Sequence, residues 1–257
     1  MPRALPSLCA ALLLALATLS YTAAVQAQTL NEDFDSVSKL SAAGWVTRNN
    51  STVAAPNHLW TQGEPTTFSN QDPADFPDAY AGVGSDSTLG EGANETLSNW
   101  LLTPQGTLTN TTAVSFYTRT VDTVLSPDRL EVRLSASGAS ANVGTGAEDV
   151  GDFTRLLLTV NPTLTADGYP SVWTQYTITF ADLSAAVTGR IGFRYYVIGG
   201  GQSGINGNYI GIDTLRTNAV TVVSAPEAGT ATLCAVPLLL LVVRVRRARR
   251  VRQDTPQ

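Results

Sequence analysis

Apolar and polar side chains alternate with a two-residue period through much of the chain's second half. Val114, Phe116 and Thr118 alternate with Ser115, Tyr117 and Arg119. Leu130, Val132 and Leu134 alternate with Arg129, Glu131, Arg133 and Ser135, which gives one apolar and one charged face. Tyr176, Ile178 and Phe180 alternate with Gln175, Thr177 and Thr179. Successive side chains of a strand point to opposite faces, so this period predicts half-buried β-strands. Residues 190–198 (RIGFRYYVI) and 208–215 (NYIGIDTL) are further aromatic or β-branched runs, and 30–34 reads as a first strand. Ser137-Gly138, Asp167-Gly168-Tyr169-Pro170 and Gly199-Gly200-Gly201 supply turns between them. A sustained 3.6-residue period is missing; residues 181–186 read as one helical turn or a connection. Regular strands with polar turns predict an all-β fold, a jelly-roll β-sandwich of antiparallel strands. Residues 28–90 are richer in loops, with Trp45, Trp60 and Trp100 as core or rim anchors. Long ordered loops need tying down, and a metal ion is one way to do it.

The two ends read as addresses. Residues 1–27 have the form of a secretory signal peptide: Arg3, the apolar run 8–19 and a Val25-Gln26-Ala27 site, with cleavage after Ala27. The apolar run is short for a span of about 20 residues, which favours cleavage over a permanent anchor. At the other end, residues 225–229 form a polar breaker and 230–243 are uncharged. Six arginines follow within 244–252, among them Arg244, Arg246 and Arg247. Arginines flanking an apolar stretch stay on the cytoplasmic side, so the residues before it are expected outside the membrane. The chain thus divides into a leader (1–27), a sandwich domain (28–223) and a sorting segment (224–257).

Composition sharpens this picture. The chain is 43% apolar and only 14% charged, which argues against wholesale disorder. Its formal charge of −5 averages two unlike parts. Between Gln28 and Val223 stand nine basic against 19 acidic residues, a net of −10. Such a domain repels phosphate backbones, so no nucleic-acid partner is expected. Cys234 is the only cysteine beyond the leader, which removes disulfides and thiol chemistry from the domain.

The order Pro226-Glu227, hydrophobic run, arginine cluster resembles the PEP-CTERM sorting signal of Gram-negative bacteria that make exopolysaccharide. Here Ala228 stands where the second proline of that motif lies. The resemblance implies an exosortase, a membrane-embedded cysteine transpeptidase, as the processing partner. Pro226, Glu227 and the arginines then act as processing determinants.

The domain carries a second resemblance. Its residues are Glu32-Asp33-Phe34-Asp35, Gly44-Trp45, the run 98–104 (SNWLLTP), Leu108 and 115–119 (SFYTR). They continue with 128–135 (DRLEVRLS), 173–176 (WTQY), 192–195 (GFRY) and 209–213 (YIGID). Together, over Leu30 to Arg216, they resemble the choice-of-anchor J domain, related to cleaved-adhesin domains and more distantly to MAM domains. That resemblance implies a jelly roll on exported proteins whose C-terminal anchors differ, a PEP-CTERM tail being one of them.

Candidate chemistry is sparse. His58 is the single imidazole, with no second His at metal-motif spacing and no Gly-x-Ser-x-Gly elbow in the chain, so it reads as a surface or structural residue. Calcium takes six to eight hard oxygens, commonly from Asp, Glu and carbonyls on loops. The resemblance brings Glu32, Asp33 and Asp35 of the first strand to Asp213 of the last, since first and last jelly-roll strands pair. It also implies calcium near the last strand; Asp78 and Asn99 are further candidate ligands. Asp213 interrupts an apolar run, and a buried carboxylate there needs a partner: calcium, Arg194 or Arg216. Trp60, Tyr80, Trp173, Tyr195 and Tyr196 are either core residues or a sugar-stacking platform. The resulting expectation is a non-enzymatic exported surface or matrix protein, transiently held at the inner membrane and adhesive towards exopolysaccharide or glycans. The alternative is a carbohydrate-binding module or glycan-active enzyme on the same scaffold.

Overall fold

The computed structural model describes residues 26–122 and 125–223. The leader residues before 26 lie outside the described residues, as do Pro226, Glu227, Arg244, Arg246 and Arg247 of the tail. Two antiparallel sheets face one another. In the first, β12 (Tyr209–Val223) lies beside β7 (Ala113–Thr120), and β7 beside the edge strand β10 (Thr174–Thr179). The other flank of β12 is shared by β1 (Gln26–Glu32) and β4 (Ala81–Gly84), with β3 (Thr61–Gln62) outside β4. The second sheet runs β2 (Val46–Asn49), β5 (Glu95–Leu102), β11 (Val187–Gly200), β8 (Leu130–Ser135) and β9 (Arg155–Val160). The short β6 (Gly106–Leu108) joins the end of β12 to the start of β11. The fold is a jelly-roll β-sandwich of antiparallel strands.

The period-two positions form the core between the sheets. Val114, Phe116, Leu130, Val132, Phe193, Ile210, Ile212 and Leu215 are all buried there. Each such side chain contributes about 1.5–3 kcal/mol on leaving water. Phe116 meets Phe193 edge-on across the gap, with ring centroids 5.0 Å apart. Trp45, Trp60 and Trp100 are each buried.

β5 escaped the sequence reading because both of its faces are covered. In β5 every residue after Glu95 is buried, so no alternation marks it. Its outer face lies under the 136–153 segment, and Trp100, Leu102, Val143 and Phe153 form a second small core there. Arg194 fastens this cover. Its guanidinium, 1% exposed, stacks 4.9 Å from the Trp100 ring and 3.7 Å from that of Tyr196. It also donates to Ser98 Oγ, to Glu131 Oε2 at 3.2 Å and to the Ala147 carbonyl of the cover. The first strand begins earlier than the 30–34 expectation and stops at Glu32, because Phe34 adopts φ 57 and turns the chain. Residues 37–43 form a 3₁₀ segment closed by Gly44 at φ 88. Residues 181–186 are a connection, without a helix. Among the described residues, no helix is long and apolar enough to cross a membrane.

Breaking a buried ion pair from one side leaves the other charge uncompensated and costs about 3–5 kcal/mol. Arg194→Ala is therefore expected to lower unfolding free energy by about that much and to expose the 136–153 cover to protease. Urea denaturation and limited proteolysis read the two effects.

Candidate functional site

The outer face of the first sheet is organised by one irregularity in β12. Asp213 lies opposite Tyr117 and Arg216 opposite Ser115, so Thr214 and Leu215 together face only Phe116. This is a β-bulge, with Thr214 in the left-handed region at φ 50. Its consequence is a change of phase. Ile212 and Leu215 both point into the core, while Asp213 and Arg216, three residues apart, both reach the outer face. A regular strand would send one of that pair inward.

Above the bulge, the segment from Gly63 to Tyr80 lies across the outer face and is pinned by aromatics. Phe68 stacks on Tyr80 at 5.0 Å and meets Trp173 edge-on at 5.6 Å, with the Arg119 guanidinium 4.5 Å from its ring centroid. Trp173 Nε1 donates to the Ser69 carbonyl at 2.8 Å, and Tyr80 Oη donates to the Glu64 carbonyl at 2.8 Å. Gly211 lets these rings approach the sheet: a Cβ there would stand 2.8 Å from both Trp173 and Tyr80 atoms. Of the five aromatics considered as a sugar platform, Trp60, Tyr80 and Tyr195 are buried, and Trp173 and Tyr196 are half-buried. Tyr196 stacks on Arg194 and Arg129.

At the bulge, the charge of Asp33 reaches Asp213, and Asp35 close by is linked in turn to Asp75. β1 pairs with β12, Glu32 lying opposite Leu215, which carries Asp33 and Asp35 past the bulge. Asp213 is 2% exposed. Its Oδ2 accepts the Gln71 N–H at 2.8 Å, and its Oδ1 accepts from the backbone N–H and hydroxyl of Thr214. Burial pushes its carboxyl up to about 6, opposed by those donors and reinforced by the charge of Asp33. Glu32 Oε1 accepts the Phe34 N–H at 2.9 Å, and burial raises this carboxyl too, with help from Asp33 and Asp35. Asp35 is raised by desolvation and then by its hydrogen bond and like charge with Asp75. Arg216 pairs with Asp33. Arg216 thus meets Asp33, not Asp213, and Arg194 lies in the opposite sheet.

The other expected ligands are placed differently. The Asp78 carbonyl accepts Gln62 Nε2, whose amide also receives the Val37 N–H and donates to the Phe34 carbonyl, so the Asp78 turn abuts this corner. Asn99 is in the second sheet, donating to the His58 carbonyl and Ser87 Oγ. His58 itself is half-exposed, its Nδ1 2.7 Å from Asp86. Among the described residues, no group of three or more His, Cys, Asp or Glu is arranged to hold a metal ion by itself. Gln62, Gln71, Asp75 and Thr214 were missed by the sequence reading. The run 72–78 (DPADFPD), dense in acid and proline, was the available signal for Asp75.

No protein-family model matches the chain, and no curated protein matches it. Among solved structures, the K3 cleaved adhesin domain of Lys-gingipain from Porphyromonas gingivalis is 20% identical, covering 76% of this chain and 99% of that one, with a TM-score of 0.46. The K1 cleaved adhesin domain of the same protein is 18% identical, covering 75% and 98%, with a TM-score of 0.45. A family 11 carbohydrate-binding module from Clostridium thermocellum, solved with a β-1,3-1,4-mixed-linked tetrasaccharide, is 14% identical. That match covers 79% of this chain and 99% of the module, with a TM-score of 0.37.

The raised carboxyl of Asp213 has a pH consequence. A buried acid with a raised value favours the folded state while protonated and opposes it once ionised, so its stabilising share is lost as pH rises from about 4 towards and past 6. In chelator, the wild type is expected to lose more melting temperature between pH 4.5 and 7 than Asp213→Asn does. Thermal scans of both proteins across that range measure the difference.

Proposed function

We propose that this chain is a non-enzymatic, exported surface or extracellular-matrix protein that makes weak glycan contacts through its sandwich. One observation carries the reading. Gln26 lies opposite Val223, so β1 begins and β12 finishes at the same end of the first sheet. A domain whose chain enters and leaves at one end keeps its sheet faces free for partners. His58, the only imidazole, is hydrogen-bonded to Asp86 at the surface. An enzyme on the same scaffold is the second reading of the sequence; no arrangement in the described residues favours it.

In this reading the leader is removed after Ala27, and an exosortase acts around Pro226-Glu227 while the arginines hold the tail on the cytoplasmic side. Mass spectrometry of mature protein is expected to find an N-terminus at Gln28 and a C-terminus lacking the arginine cluster. Mature material that ends at Gln257 would contradict processing.

Calcium fits the donor chemistry of the bulge corner. The oxygens are all hard, and among the described residues Arg216 acts on Glu32 and Lys39 on Asp35 as opposing charges. As no three acids among the described residues there are set to hold an ion by themselves, Asp213 and the neighbouring Asp33 would hold it together with further oxygens of the adjoining turns. It would neutralise the mutual repulsion and brace the Gly63–Tyr80 segment against the sheet. Chelation is expected to lower the melting temperature at pH 7.5 by several degrees, and calcium to restore it. Asp213→Asn is expected to abolish that response without lowering the melting temperature in chelator. Equal melting of the wild type with and without chelator would remove calcium from the account.

A further inference from the structure

Below the bulge, the outer face of the first sheet is open. A trough of about 380 Å³ crosses β1, β12, β7 and β10, with Asn31, Arg216, Ser115, Gln175 and Thr177 on its floor and Asn218 at its end. The registers set these side chains in rows: Asn31 opposite Arg216, Arg216 opposite Ser115, and Ser115 opposite Thr177. Gln175 follows one rung away, opposite Tyr117. At the usual strand spacing the floor is about 14 Å wide. Asn218 is already engaged, its amide accepting the Ala113 N–H and donating to the Thr111 carbonyl. Within the described residues, no protein partner holds the side-chain polar groups of Asn31, Ser115, Gln175 or Thr177.

We propose that this trough is the glycan subsite of the domain and that its ligand is a neutral oligosaccharide lying across the four strands. The inference rests on the glycan-binding reading above and gives it a place and a ligand class. Hydroxyls and amides both donate and accept, which suits the vicinal hydroxyls of a sugar chain. Among the described residues of these four strands, unpaired main chain remains only along the outer sides of β1 and β10, so a peptide lying across the floor between them cannot add as a strand. The lining holds no large apolar side chain to anchor a lipid or hydrophobic peptide, although the hydrocarbon parts of its polar residues supply much of its surface. The charge of Arg216 is matched by Asp33, and the acids of the bulge adjoin the trough, so a polyanion meets net repulsion. The bulge is what makes the site: it turns Arg216 to the outer face beside Ser115.

The test uses the full chain in detergent micelles, titrated calorimetrically with cellohexaose, laminarihexaose and hexagalacturonate. A neutral hexamer is expected to bind, and the triple variant Asn31→Ala/Gln175→Ala/Thr177→Ala to weaken it at least tenfold with unchanged melting. Thr177→Trp, which fills the trough from an exposed position, is expected to do the same. Leu89→Ala, at an exposed site outside the trough, is expected to bind as wild type. Wild-type affinity in both trough variants would overturn the trough while leaving glycan binding by the domain intact. Binding of the anionic hexamer alone would overturn the neutral class. Binding of none of the three would overturn the subsite and remove the support for the glycan reading.

Discussion

The outer face of this sandwich depends on one extra residue in its last strand. A strand with strict alternation cannot present two side chains three positions apart to the same side. β12 does so through the bulge at Thr214, and the result is an acid corner and a polar floor on one sheet. The cost is a single left-handed threonine and a buried carboxylate. Three hydrogen bonds to Asp213 offset part of that burial, two of them from Thr214 itself. The third comes from Gln71, in a segment more than a hundred residues away in sequence, so the bulge also fixes where that segment lands.

The two faces of the protein are consequently treated differently. The outer face of the second sheet is closed by the 136–153 cover, and the buried Arg194, between Trp100 and Tyr196, holds it there. The outer face of the first sheet is half closed: aromatics seal the Gly63–Tyr80 segment down, and the floor beyond Asp213 stays open. Among the described residues, Asn31, Ser115, Gln175 and Thr177 on that floor have no side-chain hydrogen-bond partner. That asymmetry separates a covered face from an open one.

Much of the fold was legible because half-buried strands alternate. β7, β8 and β10 each present one face to the core and one to solvent or loops, and their patterns name their inward residues. β5 was not legible, since Trp100 and Leu102 are covered on one side while Leu97 and Leu101 fill the core on the other. The acid corner was partly legible: a lone Asp in the apolar run 210–215 marks Asp213, and strand pairing brings Glu32 and Asp33 towards it. Gln71 and Asp75 could not be assigned there, because a loop's landing point depends on tertiary contacts. Arg216 was weighed as a partner of Asp213. It meets Asp33 instead, because a bulge, which has no period of its own, turns both residues outward on separate rungs.

Hydrogen exchange on the full chain tests the bulge-centred account most directly, with peptides compared in chelator and after calcium is restored. Slower exchange confined to segments 30–36, 69–78 and 211–217 is the predicted result, since these are the stretches that the bulge gathers into one corner. Protection that appears elsewhere, or unchanged exchange in all three, would contradict it.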